Sequence, residues 1–383
     1  MKRIAIVRST FSPYGGVERV ALSIVEGLLK KGASVTLMTF PGQPWPVKDP
    51  NLHVVTLGLF RTHRLIQALS FEQAVTRYLK RHAFDCIFSL DKVTCFTHLH
   101  AGGGTHKTFL RIRSGYSNRL SNFLRRFSLF HHYTLYLEKK GFQNPRLQRV
   151  RCNAEMVRRD IRSDYGVPAE KMCVIHSGIR WQAMGDTFDD RNAVGDALRR
   201  QHRIAAGWQC LLFLGSGFDR KGLDIAIRGL AGLPEIAHLL VVGKGATGPY
   251  QRLAANLDLS GRVHFLGARP QGWRYAACCR ALVLPSQYDP FGGAAAEGHA
   301  MGIPVLVTDT TGFADYVIPG ENGVILANPM TEATIRAGFA ALWDLIQHPR
   351  LSPDELREHV RCLDDDAILE RLLTEFLPLY RRR

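Results

Sequence analysis

Short runs of β-branched and aliphatic residues recur along this chain with helix-length stretches between them, and this alternation limits its fold more than any other feature. Ile4–Val7, Val35–Phe40, His53–Leu57 and Cys86–Leu90 read as strands of a first half. Met172–Ile175, Cys210–Leu214, Leu239–Val242, Val263–Leu266, Ala281–Leu284, Pro304–Val307 and Val324–Leu326 read as strands of a second. A strand that is apolar at consecutive positions has no face to give to water. It belongs in a parallel sheet covered on both sides by crossover helices. The first such helix is explicit in Val17, Val20, Ala21, Ile24, Val25, Leu28 and Leu29, with Gly32 as its stop. The expected fold class is α/β, with two doubly wound, Rossmann-like domains facing a central cleft. Periodicity fails over 176–190, which places the domains at 1–175 and 176–364, with a C-terminal helix at 365–383 packing back on the first. Ligands of such sheets bind beyond the carboxyl ends of the strands, so the cleft is the expected site.

The charge is uneven. Residues 1–180 hold 29 Lys and Arg against 11 Asp and Glu, while residues 181–383 hold 21 against 23. The net charge of +16 therefore resides in the first half. It points to an anionic partner there: nucleic acid, an acidic polymer or an anionic membrane. The eight cysteines form no CxxC pair and sit mostly in apolar runs, as reduced core residues of a cytosolic protein do. Cys95, His98, His100 and His106 could be drawn as a metal site, but their spacing fits no common zinc pattern. The apolar stretch at the N-terminus is too short for a signal peptide. No run approaches the roughly 20 apolar residues of a membrane span.

Glycine-bearing turns follow several of the strands. GSGFDRKG (215–222) comes straight after Cys210–Leu214. A strand-to-helix turn leaves backbone N–H groups unpaired, and Arg220 and Lys221, read as exposed cations, would make it a place for a strongly anionic group. A solvated basic turn has the same composition. STFSPYGGVERV (9–20) sets Gly15 and Gly16 before the first helix, where bare backbone admits a ligand or merely closes a tight turn. GKGATG (243–248) matches the dinucleotide fingerprint but lacks the acidic residue about 20 positions on, so a simple turn is the better reading. Asp364–Asp366 precede a helical pattern and read as an N-cap cluster. The stretch YDPFGGAAAEGHAMGIP (288–304) says most. Asp289 stands in the loop after a strand, and Phe291, Gly292, Gly293 and Ala294 open a helix with little side-chain bulk. Glu297 follows Gly293 by one turn on the same face. A diphosphate could rest on that N-terminus while Glu297 accepts hydrogen bonds from two ribose hydroxyls.

At these residues the chain resembles the retaining glycosyltransferases of family 4. Asp289 and Glu297 fall at the acidic positions of the family's E-x7-E motif, Pro290–Gly293 is similar to its PFG turn, and GSGFDRKG to its basic diphosphate-binding turn. The likeness extends through YGGVER and ENGVIL and is strongest to the lipopolysaccharide core glucosyltransferases. It implies the GT-B fold, a nucleotide-sugar donor, and no metal or other cofactor. The implied reaction moves a hexose from UDP-glucose or a similar donor to a lipid-linked glycan, expected to be the lipopolysaccharide core. Arg220, Lys221 and the N–H groups of Gly292–Ala294 would then stabilise charge growing on the leaving diphosphate. Gly15, Gly16, Gly215, Ser216 and Phe291 would border the donor, Asp289 its sugar hydroxyls and Glu297 its ribose. His106, or His100, would touch the sugar or phosphate.

Two departures stand out. Asp289 is one methylene shorter than the family's first Glu, and HAGGGTH (100–106) lacks the acidic residue relatives often carry before the histidine. Residues 107–142 hold eight Lys and Arg and one Glu among aromatics, a composition that lies on an anionic membrane or grips an acidic acceptor. The expected partners are a nucleotide-sugar, a lipid-linked glycan and an anionic membrane surface. The enzyme would be cytoplasmic and peripheral to the inner face of the cytoplasmic membrane. No reading motif or stacking signature accompanies the basic half, so nucleic acid is not expected. A nucleotide-sugar epimerase of the same fold is the alternative enzyme.

Overall fold

The apolar runs form two all-parallel sheets. The structure, a computed structural model, describes residues 1–11, 16–60, 62–115, 123 and 127–377. One unit comprises Met1–His176 with Ile368–Arg383, the other Ser177–Ala367.

The first unit's sheet contains β1 (Arg3–Val7), β2 (Ser34–Thr39), β3 (Leu52–Thr56), β4 (Cys86–Ser89), β5 (His98–Ala101), β6 (Arg149–Cys152) and β7 (Met172–Val174). Their order is β3-β2-β1-β4-β5-β6-β7. Ile4, Ala5, Ile6 and Val7 are fully buried because β1 is paired on both edges, by β2 and β4, and covered on both faces. Met172–Val174, counted above with the second half, is the edge strand of this first sheet, in register with Val150–Cys152. β5 and β6 carry no apolar run and are absent from the sequence reading. They alternate polar and apolar residues, yet His98, His100 and Arg151 are all buried. The register sets His98 beside Arg149 and His100 beside Arg151. The Arg151 guanidinium donates from Nε to the Ile175 carbonyl (2.9 Å) and from Nη2 to the His176 carbonyl (2.6 Å). Backbone oxygens thus take two of the donor groups of a cation that hydrophobic periodicity could never place in a core, while its buried Nη1 has no hydrogen-bond partner among the described residues. The chain returns to this unit at its end. Phe376 sets its ring edge-on to Phe88 and His98, and Leu373 packs over Gly27 of the helix Gly16–Lys30. Residues 378–383 of the expected C-terminal helix lie outside the described residues.

The second unit's sheet contains β8 (Gln209–Leu214), β9 (Ala237–Val242), β10 (Val263–Gly267), β11 (Ala281–Leu284), β12 (Val305–Thr308) and β13 (Gly323–Leu326), in the order β10-β9-β8-β11-β12-β13. Phe213, Ile227, Phe339 and Leu342 are fully buried in its core. The order reverses between β8 and β11. Loops leaving the carboxyl ends of two strands at such a point diverge and leave a crevice. Asp364, from the triple-Asp stretch, accepts hydrogen bonds from the Gln182 backbone and side-chain amides, while Asp365 and Asp366 occupy the first turn of the helix Asp365–Arg371. That is the helix-terminal placement the sequence suggests.

Candidate functional site

The turn after β8 is fixed before any ligand is considered. Phe218 is buried, edge-on to Phe213 and Tyr250, so the helical turn Phe218–Lys221 is anchored from beneath and its basic residues face the other way. Gly222 closes the turn in the left-handed region (φ 72°), and a Cβ there would lie 1.9 Å from the Pro285 carbonyl oxygen. Only glycine lets the turn sit this close to the exit of β11. The neighbouring GKGATG loop leans on the same turn. The Gly217 N–H donates to the Lys244 carbonyl (3.1 Å), the Lys244 N–H to Ser216 Oγ (3.1 Å), and a Cβ on Gly243 would meet the Gly215 carbonyl oxygen at 2.0 Å. Loop-to-loop packing alone accounts for that glycine.

Past β11 the chain brings Asp289 against this turn. Asp289 Oδ2 pairs with Lys221 Nζ and lies 3.8 Å from Arg220 Nη1, which also donates to the Tyr288 carbonyl (3.1 Å). Asp289 Oδ1 accepts from the Gly292 N–H (3.0 Å) and the Phe291 N–H (3.4 Å), capping the start of the helix Gly293–Ala300. Burial alone would raise the Asp289 carboxyl, but Lys221, Arg220 and these N–H groups hold it below the usual carboxylate range. The loop is held from the far side as well. The Asp289 N–H donates to the Thr310 carbonyl (3.0 Å), and the Gly312 N–H to the Asp289 carbonyl (2.9 Å). The Gly293 and Ala294 N–H groups open the helix with no partner among the described residues, and Glu297 is half-buried one turn further on.

The structure therefore gathers Gly215, Ser216, Arg220, Lys221, Asp289, Phe291, Gly292, Gly293 and Ala294 on adjoining loops at the β8–β11 reversal, with Glu297 on the helix they begin. It corrects one expectation. Lys221 is not an exposed cation: its side chain is 12% exposed and bound to a buried carboxylate.

Gly16 and His106 belong to the first unit, and Gly15 lies outside the described residues. His106 opens the helix His106–Gly115, with Nε2 3.0 Å from His131 Nδ1. Burial, with Lys92 and His131 near, pulls it down to about 3, so its imidazole is neutral. His100 is buried behind it in sequence, and burial with Arg151 and Arg8 near holds it well below the usual range. Sequence reasoning missed Glu138, which organises this region. Its carboxylate accepts from Lys92 Nζ (2.6 Å), the His106 N–H (2.5 Å) and the Tyr165 hydroxyl (2.6 Å). The only signal was a lone acid in a basic stretch. These elements wall a pocket of about 460 Å³ inside the first unit, bordered by Arg8, Arg64, Asp91, His100 and Glu138 among many apolar side chains. Among the described residues no cluster of three or more His, Cys, Asp or Glu could hold a metal ion, and no helix is long and apolar enough to cross a membrane.

Comparison with known proteins covers both units. Residues 14–181 match the profile of Glycosyltransferase Family 4, and residues 195–344 that of Glycosyl transferases group 1. The chain is 24% identical over 340 residues to the lipopolysaccharide glucosyltransferase WaaG of Escherichia coli, covering 86% of each. It shares its fold with the crystal structure of WaaG at a TM-score of 0.77, with 20% identity over 97% of this chain and 99% of that one. It likewise matches Anabaena HepE, solved in complex with UDP and glucose, at a TM-score of 0.67, with 18% identity over 99% of this chain and all of that one.

Proposed function

The chain is a glycosyltransferase of the GT-B fold, joining a family 4 half to a group 1 half, and we propose that it moves a hexose from UDP-glucose or a similar nucleotide-sugar to a lipid-linked glycan of the lipopolysaccharide core type. In this reading it keeps the donor's anomeric configuration, needs no metal, and works in the cytoplasm at the inner membrane face. The convergence of Arg220, Lys221 and a helix N-terminus on Asp289 carries the reading. A diphosphate entering here competes with Asp289 for the Lys221 ammonium and meets the open N–H groups of Gly293 and Ala294. As the bond from the sugar's anomeric carbon to the diphosphate oxygen breaks, negative charge grows on that oxygen beside donors already in place. Asp289 turns to the sugar's hydroxyls. The acceptor hydroxyl forms the new bond on the face the diphosphate leaves, and its proton passes to a β-phosphate oxygen.

A panel of nucleotide-sugars incubated with a truncated, lipid-linked core glycan tests this. Transfer from one donor with its configuration kept, undiminished by a chelator, is expected. Inversion, or nucleotide release with no acceptor added, overturns it.

Glu297→Gln is expected to weaken nucleoside diphosphate binding about tenfold, the worth of a charge-assisted hydrogen bond, and to change kcat less. Calorimetry decides, and an unchanged Kd would move Glu297 out of the site.

The basic stretch 107–142 supports the membrane part of the reading. Its described portion exposes Phe127 (67%) and Leu129 (71%) near Lys139 and Lys140 in sequence. Arg125 and Arg126 lie outside the described residues. Neutralising both should weaken binding to anionic vesicles about thirtyfold, since each basic residue at such a surface contributes about 1 kcal/mol. High salt should act alike. Unchanged flotation with activity on a soluble acceptor lost would assign the stretch to acceptor binding instead.

A further inference from the structure

We infer that the first unit's pocket binds a single hydrocarbon chain of an anionic lipid. This deepens the reading of a lipid-linked acceptor at a membrane face and rests on it for its biological setting. The pocket encloses about 460 Å³ and is walled by Phe40, Phe71, Leu90, Phe96, Phe130 and Phe142, among others. Its charged groups are largely engaged with each other: Arg8 Nη1 with Asp91 Oδ1 (2.7 Å) and Lys92 Nζ with Glu138 Oε1 (2.6 Å). The lining also holds Ser9, Thr10, Gln67 and His100, whose buried Nδ1 has no hydrogen-bond partner among the described residues, but a sugar would still set most of its hydroxyls against aromatic and aliphatic walls. A methylene chain has none to satisfy and gains from every group buried.

The headgroup's charge follows from Arg64. It borders the pocket, is exposed, stacks over the Phe130 ring at 4.7 Å, and has no ion-pair partner among the described residues. The route from a bilayer follows from the helix Leu129–Phe142. It gives Phe130, Thr134 and Leu137 to the pocket while Leu129 and Tyr136 (52%) are exposed. One helix thus offers apolar surface both to the cavity and to whatever lies outside it.

Calorimetry with hexyl, octyl and decyl phosphate, each below its micellar concentration, tests the site, with inorganic phosphate as the headgroup control. Each added methylene should tighten binding about fourfold, the equivalent of ~0.8 kcal/mol per buried CH₂. Ala68→Trp, which puts an indole into the pocket from the helix Arg64–Arg81, should erase that increment and leave nucleoside diphosphate binding in the other unit unchanged. Thr134→Trp, from the helix Leu129–Phe142, is the second variant should the first not fold. Equal affinities for hexyl and decyl phosphate, or increments that persist in the filled variants, overturn the site.

Two further arms separate the sources of the chain. If it belongs to the acceptor, decyl phosphate raises the acceptor KM and leaves kcat alone. If it belongs to a bilayer lipid, decyl phosphate releases the protein from anionic vesicles without changing KM for a soluble acceptor. Because binding is read with neither donor nor acceptor present, loss of the transfer reading would leave this result standing.

Discussion

Lys221→Met is expected to lower turnover by about 100-fold or more while the fold persists at reduced stability. The rate loss would follow from removing a preorganised cation where, in the proposed reaction, the leaving diphosphate gathers charge. The stability loss follows from the Lys221–Asp289 pair, whose removal strands a buried carboxylate. Breaking such a pair typically costs about 3–5 kcal/mol. Here the Gly292 and Phe291 N–H groups and the Arg220 guanidinium still face Asp289, so the lower end is expected. A double variant divides the two roles. In Lys221→Met/Asp289→Asn the stranded charge is gone, so the melting temperature should recover while turnover stays low. Near-normal turnover in the single variant, or recovery of turnover along with stability in the double, would remove Lys221 from the chemistry.

The second large effect is acid lability, and it belongs to the cores rather than to the site. His98, His100 and His299 are each buried with at most 4% exposure. Burial pulls His98 down to about 4, with Arg149 adding to the effect. It pulls His299 down to about 3, although the Asn322 carbonyl, 2.9 Å from Nε2, opposes the shift. His100 moves the same way. The unfolded chain takes up these protons as pH falls through about 6.5, whereas the folded chain refuses them until its own lower values are reached. Stability is therefore intact above that pH and is lost across the window from about 6.5 down toward 4. Each histidine contributes a limiting slope of about 1.4 kcal/mol per pH unit, so three give roughly 4 kcal/mol per pH unit, and one such unit removes a large share of the usual stability of about 5–15 kcal/mol. Urea midpoints should fall steeply from pH 6.5 to pH 5, and His299→Gln should remove about a third of the slope. A midpoint constant from pH 7 to pH 5 would contradict the assignment.

The turns after β8 and β11 were legible because their information is local. A strand end, a glycine and a charge at fixed spacing specify a turn and its chemistry within a dozen residues, as in GSGFDRKG and YDPFGGAAAEG. The partner of Lys221 was not legible. Asp289 stands 68 positions away, and only the β8–β11 pairing brings the two loops together. The same limit hid Glu138, whose three donors come from positions 92, 106 and 165.

The sequence by itself determined two parallel-sheet domains, because consecutive apolar residues such as Ile4–Val7 and Leu239–Val242 cannot face water and must be covered on both sides. It also pointed to the loops after β8 and β11 as candidates for anion binding. Tertiary structure alone decided that His98, His100 and Arg151 lie within a sheet, because their burial depends on carbonyls and rings supplied by distant segments. It alone decided that Lys221 is paired rather than exposed. A residue's periodicity reports which face it shares with its neighbours in sequence; its polar partners are chosen by whatever the fold sets opposite.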